Sequence, residues 1–226
     1  MVGKLEGHRW NLIAFKRVNL QTIFLLFAFV LSACGTATPT AEPQIADVYA
    51  TSAAQPWMAK LYTCAADSGA VLNVNAESPE IYLRVSEPDV LISSAYQIDE
   101  EEILVVANRE SSVQNLTLAE VQDLFAQENP SVQVWVYPSD ADIQGVFDQL
   151  VMKGRSIFSS AKTAISVQDM SDKLKSDPAA IGILPRYSVT NDLREVYSAG
   201  TMPILAITKS EPQGVIVDLI SCLQNN

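Results

Sequence analysis

The chain has 226 residues, 48% of them hydrophobic, and carries 26 Asp and Glu against 15 Lys and Arg, a formal charge of −11. That acidity repels phosphate backbones and anionic headgroups, which excludes nucleic acid as a partner. The only histidine, His8, lies in an N-terminal segment expected to be removed, which leaves no imidazole for a Ser-His pair or a zinc site, and no paired-acid or Ser-x-x-Lys motif stands out, so no enzyme is expected.

The first segment has the layout of a secretory signal. Lys4, Arg9, Lys16 and Arg17 precede Thr22–Leu31, an almost wholly apolar run, too short for a bilayer span of about 20 residues. Leu31-Ser32-Ala33-Cys34 then resembles the lipobox of bacterial lipoproteins, in which the cysteine is lipidated and becomes the new N-terminus. Cleavage before Cys34 would remove four bases, one acid (Glu6) and His8, leaving 11 − 25 = −14. The stretch GTATPTAEPQIA that follows is rich in Thr, Ala and Pro and reads as a flexible tether. The expected organisation is a signal peptide over 1–33, a tether over 34–44, and one sizeable domain or two small lobes beyond. That domain is expected outside the cytoplasm, held to a membrane through Cys34.

The remaining chain alternates strand and helix signals. A strand is predicted over 45–50, then the loop TSAAQ and a helix from near Pro56 to near Gly69, with Trp57, Leu61 and Cys64 along one face. AVLNV (70–74) reads as a strand, PEIYLRV as a short helix or extended stretch, DVLISS (89–94) as a buried strand and EEILVVAN (101–108) as a central one. Thr117 with Glu120 predicts a capping box opening a helix that turns Leu118, Val121, Leu124 and Phe125 inward. A strand over 132–137 leads through PSDAD to a helix with Ile143, Phe147, Leu150 and Val151 inward. A polar-faced helix, SVQDMSDKLKSD, precedes a strand over 180–185. A last strand over 202–208 and a last helix, QGVIVDLISCLQ, with Val215, Leu219 and Cys222 on one face, close the chain. Such alternation predicts an α/β fold with largely parallel sheets flanked by helices.

In their order, these segments resemble the phosphate-type periplasmic solute-binding proteins. The matching features are the strand ending at Asn108, the helix from Leu116-Thr117 to Phe125, the Ala180-Ile181-Gly182 strand with Ile183 where the family has Tyr, and the opening YATSAAQPWMAKL. The resemblance implies a two-lobed periplasmic-binding-protein-like fold of type II, with lobe 1 over 45–104 and 200–226 and lobe 2 over 105–199. It also implies a small solute held between the lobes and an ABC permease as partner, with no cofactor and no metal.

Open parallel sheets bind ligands beyond the carboxyl ends of their strands. Three loops there supply candidate ligand-binding residues: Thr51 and Ser52, Ser93 and Ser94, and Ser139 and Asp140 within Ser139–Asp142. Each can instead serve only its own turn, the serines and threonine by satisfying backbone groups, Asp140 or Asp142 by capping a helix. The family tends to carry Asp-Gly-Ser-Gly-Thr at the third loop. This chain has Ser139-Asp140-Ala141-Asp142-Ile143, and two carboxylates there oppose a dianion, so tight phosphate binding is not expected. The resemblance also places the helices bearing Cys64 and Cys222 on one lobe. An oxidising compartment then suggests a disulfide, with two separate buried thiols as the other reading. The expected function is a lipid-anchored solute-binding protein of an ABC-type transporter. The alternative is a non-transport adaptor or sensory lipoprotein with a degenerate cleft.

Overall fold

A computed structural model describes residues 43–90 and 94–225, so the signal, Cys34, the tether's first part and Ser93 lie outside the described residues. From Pro43 onward the chain forms one compact unit. Strand β1 (Ile45–Ala50) buries Ala46, Val48 and Ala50 at every second position, the period of a pleated strand with one face on a core. Helix α1 (Gln55–Ser68) has Pro in its first turn and stops at Gly69, whose φ of 69° provides the left-handed cap. Its buried Trp57, Leu61 and Cys64 are the predicted stripe. Strands β2 (Val71–Val74) and β3 (Ile81–Val85) pair parallel to β1 on either side. PEIYLRV is therefore extended rather than helical.

Strand β4 (Ser94–Asn108) is longer than predicted. Asp89 and Val90 stand outside it, and Val90 is 72% exposed, so its apolar side chain does not open a buried strand. Helix α2 (Leu118–Ala126) begins with the predicted box: Glu120 N–H donates to Thr117 Oγ1 at 3.4 Å and Thr117 N–H to Glu120 Oε2 at 2.7 Å. Strand β5 (Gln133–Val136) leads to α3 (Asp142–Phe147), which continues as a wider π turn over Asp148–Met152. A two-residue strand, β6 (Lys162–Thr163), precedes α4 (Val167–Ser176). Strand β7 (Ala180–Pro185) is buried throughout. Strand β8 (Leu193–Thr208) is also longer than predicted, by more than a factor of two, and α5 (Val215–Asn225) ends the fold.

The eight strands form one mixed sheet in the order β2-β1-β3-β8-β4-β7-β5-β6. The β2-β1-β3 and β7-β5-β6 trios are parallel within themselves. Between them β4 and β8 run antiparallel, from Ser94 opposite Thr208 to Asn108 opposite Leu193. One end of this ribbon pairs with β3 and the other with β7. The two long strands thus belong to both halves of the molecule and join them in the middle, around Glu100–Glu102. Asn108 closes the second half from within: its amide donates to the Leu174 and Lys175 carbonyls, both at 2.9 Å, at the end of α4. Phe125 and Phe147, with ring centroids 4.7 Å apart, sit in the same core.

Helices α1 and α5 pack together and are linked by a Cys64–Cys222 disulfide, Cα atoms 5.8 Å apart, inside the range such a bridge requires.

Candidate functional site

The first half contributes the carboxyl ends of β1 and β3. Thr51 follows β1 directly, where its N–H donates to Leu83 O at 3.0 Å and its hydroxyl accepts the Ala54 N–H at 3.3 Å, capping a single 3₁₀ turn over Ser52–Ala54. Val85 closes β3 and is fully buried. Its backbone N–H points away from the ladder and toward the second half.

The second half contributes the segment between β5 and α3. Tyr137 N–H donates to Gln144 Oε1 at 2.9 Å, its hydroxyl donates to Ile183 O at 2.9 Å, and Gln144 Nε2 donates to Asp148 Oδ1 at 2.9 Å. The buried Gln144 amide thereby ties the start of the loop to α3 and to the turn that follows the helix. Burial pushes the Tyr137 hydroxyl well above the usual phenol range, so it stays a neutral donor.

Asp142 joins the two halves. The residue as a whole is 7% exposed. Oδ2 accepts the Val85 N–H at 2.8 Å and the Thr51 hydroxyl at 2.7 Å, while Oδ1 accepts the Ile143 N–H at 2.9 Å. The helix N-cap is Ala141, so the aspartate stands at the first helical position, where it takes up a first-turn N–H of its own helix and also reaches across to the other half. Asp140 and Ser139 are exposed. They line an adjoining cleft of about 410 Å³ whose charged walls are Arg84, Glu87, Asp89, Asp140 and Asp142. One guanidinium faces four carboxyls there, a poor setting for a dianion.

Two further contacts cross between the halves. Ser52 Oγ accepts the Val167 N–H at the start of α4, 2.8 Å away. The Tyr187 hydroxyl donates to Ala53 O at 3.1 Å, and its ring meets Trp57 edge-on at 6.0 Å. Burial pushes the Tyr187 hydroxyl up as well. A second opening of about 690 Å³ is lined by Ser52, Gln55, Ser166, Gln168, Lys175 and Tyr187.

The structure thus brings Thr51 and Ser52 to the junction of the halves and Ser139 and Asp140 to the rim of the cleft beside it. Ser94 is elsewhere. It opens β4 instead of ending a strand, and it pairs with Thr208, which also pairs with Ile81 at the start of β3. Val85 lies four residues further along β3, about 13 Å at the usual strand rise. Sequence reasoning cited Asp142 only as a cap or a repelling charge and left out Val85, whose contribution is a main-chain N–H that no side-chain motif marks. Among the described residues no three His, Cys, Asp or Glu side chains converge to hold a metal ion.

No protein-family model matches the sequence, and no curated protein sequence matches it either. Solved structures do. A phosphate ABC transporter substrate-binding protein from Clostridium perfringens, with phosphate bound, superimposes with a TM-score of 0.70 at 14% identity, covering 80% of this chain and 93% of its own. An ABC-type phosphate transport receptor from Vibrio cholerae gives 0.61 at 12% identity over 82% and 94%. The regulatory domain of OxyR2 from Vibrio vulnificus gives 0.60 at 8% over 81% and 97%. At these identities the likeness speaks for architecture alone, and it shows the fold to be that of the type II periplasmic-binding-protein-like domains.

Proposed function

We propose that this chain is a solute-binding protein of an ABC-type transporter, held outside the cytoplasm by a lipid on Cys34. The observation that carries the reading is architectural. The ends of β1 and β3 face the β5–α3 segment across a junction spanned by only two long strands, in a fold shared with two phosphate transport receptors. Such halves can close on a small solute and present the closed form to a permease. The anchor rests on Leu31–Cys34 in the sequence. No chemistry beyond binding is part of the proposal.

Phosphate is a poor candidate for the solute, because Asp142 already occupies the donors at the junction. The same observation favours a second reading, a non-transport adaptor or sensory lipoprotein whose cleft is degenerate. A thermal-shift screen of the protein with sugars, amino acids, amines and small anions separates the two, since a solute specific for the native state raises the melting temperature. The transport reading expects a saturable rise with at least one neutral or cationic solute. A flat response across those classes, with no permease and ATPase genes beside this one, overturns it in favour of the adaptor.

A further inference from the structure

We infer that the Asp142 carboxylate is a tethered stand-in for an anionic solute: it makes the cross-junction bonds that such a solute would make, and it masks a latent site for a small oxyanion. The inference concerns the cleft of the proposed solute-binding protein and rests on reading it as one.

The geometry carries it. Asp142 is a buried residue, yet among the described residues no Lys or Arg lies within ion-pair distance of its carboxylate. Its charge is met by dipoles instead, the main-chain N–H groups of Val85 and Ile143 and the Thr51 hydroxyl. Neutral donors converging on an anion, without a counter-charge, are how proteins hold oxyanions away from water. Two of the three donors come from the β1–β3 half, and the acceptor comes from the segment after β5. A solute bound at this place would make the same cross-junction bonds, and each half would be drawn to the other through it. Here the chain makes them itself. An external oxyanion then finds its donors taken and a like charge in its way.

Asp142 is therefore the residue that sets which solutes the cleft admits. Its removal leaves the buried Val85 N–H and the half-buried Thr51 O–H without this acceptor, which is unfavourable until something accepts from them. An added anion of the same shape can do so. Formate is the closest match to the missing group, and inorganic phosphate tests whether the vacated place takes a tetrahedral anion.

The experiment compares the wild type, Asp142→Ala and Asp142→Asn by thermal unfolding in formate, in phosphate and in chloride of equal ionic strength, with small-angle scattering of the wild type. The wild type is expected to melt at the same temperature in all three salts and to keep one radius of gyration with and without phosphate. Asp142→Ala is expected to melt lower in chloride and to recover saturably with formate or phosphate, by roughly 5–10 °C at a hundredfold excess over Kd. Asp142→Asn, whose amide oxygen still accepts both bonds, is expected to show no anion response. A folded Asp142→Ala that ignores formate and phosphate alike overturns the inference. Should that variant fail to fold, the wild type still decides: contraction in scattering or a saturable rise in melting temperature on adding phosphate shows an open, unoccupied site and overturns it as well. The solute screen above reads the wild type with neutral and cationic compounds, so the transport reading and this one fail on different measurements.

Discussion

Gly182 sits where β7 passes beneath α4, and a Cβ built on it would come 2.5 Å from Met170 Sδ and 3.3 Å from both Leu174 Cδ2 and the Trp135 carbonyl. The carbonyl belongs to the neighbouring strand and cannot move aside, so Gly182→Ala is expected to cost about 1–3 kcal/mol in urea unfolding. The glycine that carried part of the family resemblance thus has a packing reason and no contact with the cleft. Glu101 shows the opposite balance. It is 9% exposed in the ribbon joining the halves and accepts the Tyr187 N–H at 3.1 Å. Burial raises its carboxyl above the usual range, against the pull of the Tyr187 and Arg186 N–H groups. A raised folded pKa means that the folded state holds the proton more tightly. The stability this contributes is present in full below the ordinary glutamate range and is lost as pH rises through the folded value. Glu101→Gln keeps the acceptor and removes the charge, so it is expected to raise the melting temperature at pH 7 and leave it unchanged near pH 4. An equal shift at both values would assign the effect to packing instead. At this scale the sequence was informative for residues with a local role, such as Thr117 with Glu120. It read Asp142 only as a cap or a repelling charge, because the partners that give it a role across the junction are 57 and 91 positions away and one of them is a main-chain group.

Among the elements, the short buried strands and the amphipathic helices were legible because periodicity reports burial, and burial was what the residues shared. The unread lengths have a common cause. SAYQIDE at the start of β4 and LREVYSAG at the start of β8 are polar, largely half-exposed stretches whose extended form is imposed by the apolar far end of the partner strand, residues 203–208 opposite the first and 103–108 opposite the second, rather than by local propensity. β6 is two residues long and exposed, so it has no pattern to read. Helices α1 and α5 are a case in which local pattern and long-range pairing agree: each turns an apolar face inward, and the disulfide joins them across a sequence separation of 158. In the chain-entropy picture, closing a loop of that size removes about 4–5 kcal/mol of freedom from the unfolded chain. Replacing both Cys64 and Cys222 by Ser is expected to lower unfolding stability by about 2–5 kcal/mol, with the native fold retained by circular dichroism. A loss below that range in oxidised protein would mean that α1 and α5 are held chiefly by Leu61, Leu219 and Leu223, which are fully or almost fully buried with them.

At the scale of the whole molecule, the anchor and the fold make separate claims. If Cys34 carries the lipid, Cys34→Ala is expected to release the protein from the membrane fraction and to change its mass, and a variant still membrane-bound with unaltered mass would remove the anchor. The fold makes a claim about cooperativity. Two halves joined by loops alone would be free to unfold in turn. Here β4 and β8 run through both, pairing along their whole length, and a break in one half strips hydrogen bonds from strands that the other half needs. Asp142, Ser52 and Tyr187 add bonds across the junction. The expected outcome is one calorimetric transition with equal calorimetric and van't Hoff enthalpies. Trp57 lies in the first half and Trp135 in the second, so Trp57→Phe and Trp135→Phe variants each silence the signal from one half. Their fluorescence midpoints, each referred to the circular-dichroism midpoint of the same variant, should coincide. Two resolved transitions, with the Trp135 half melting apart from the half stapled by the disulfide, would show that the ribbon transmits no cooperativity and that the halves move as independent bodies.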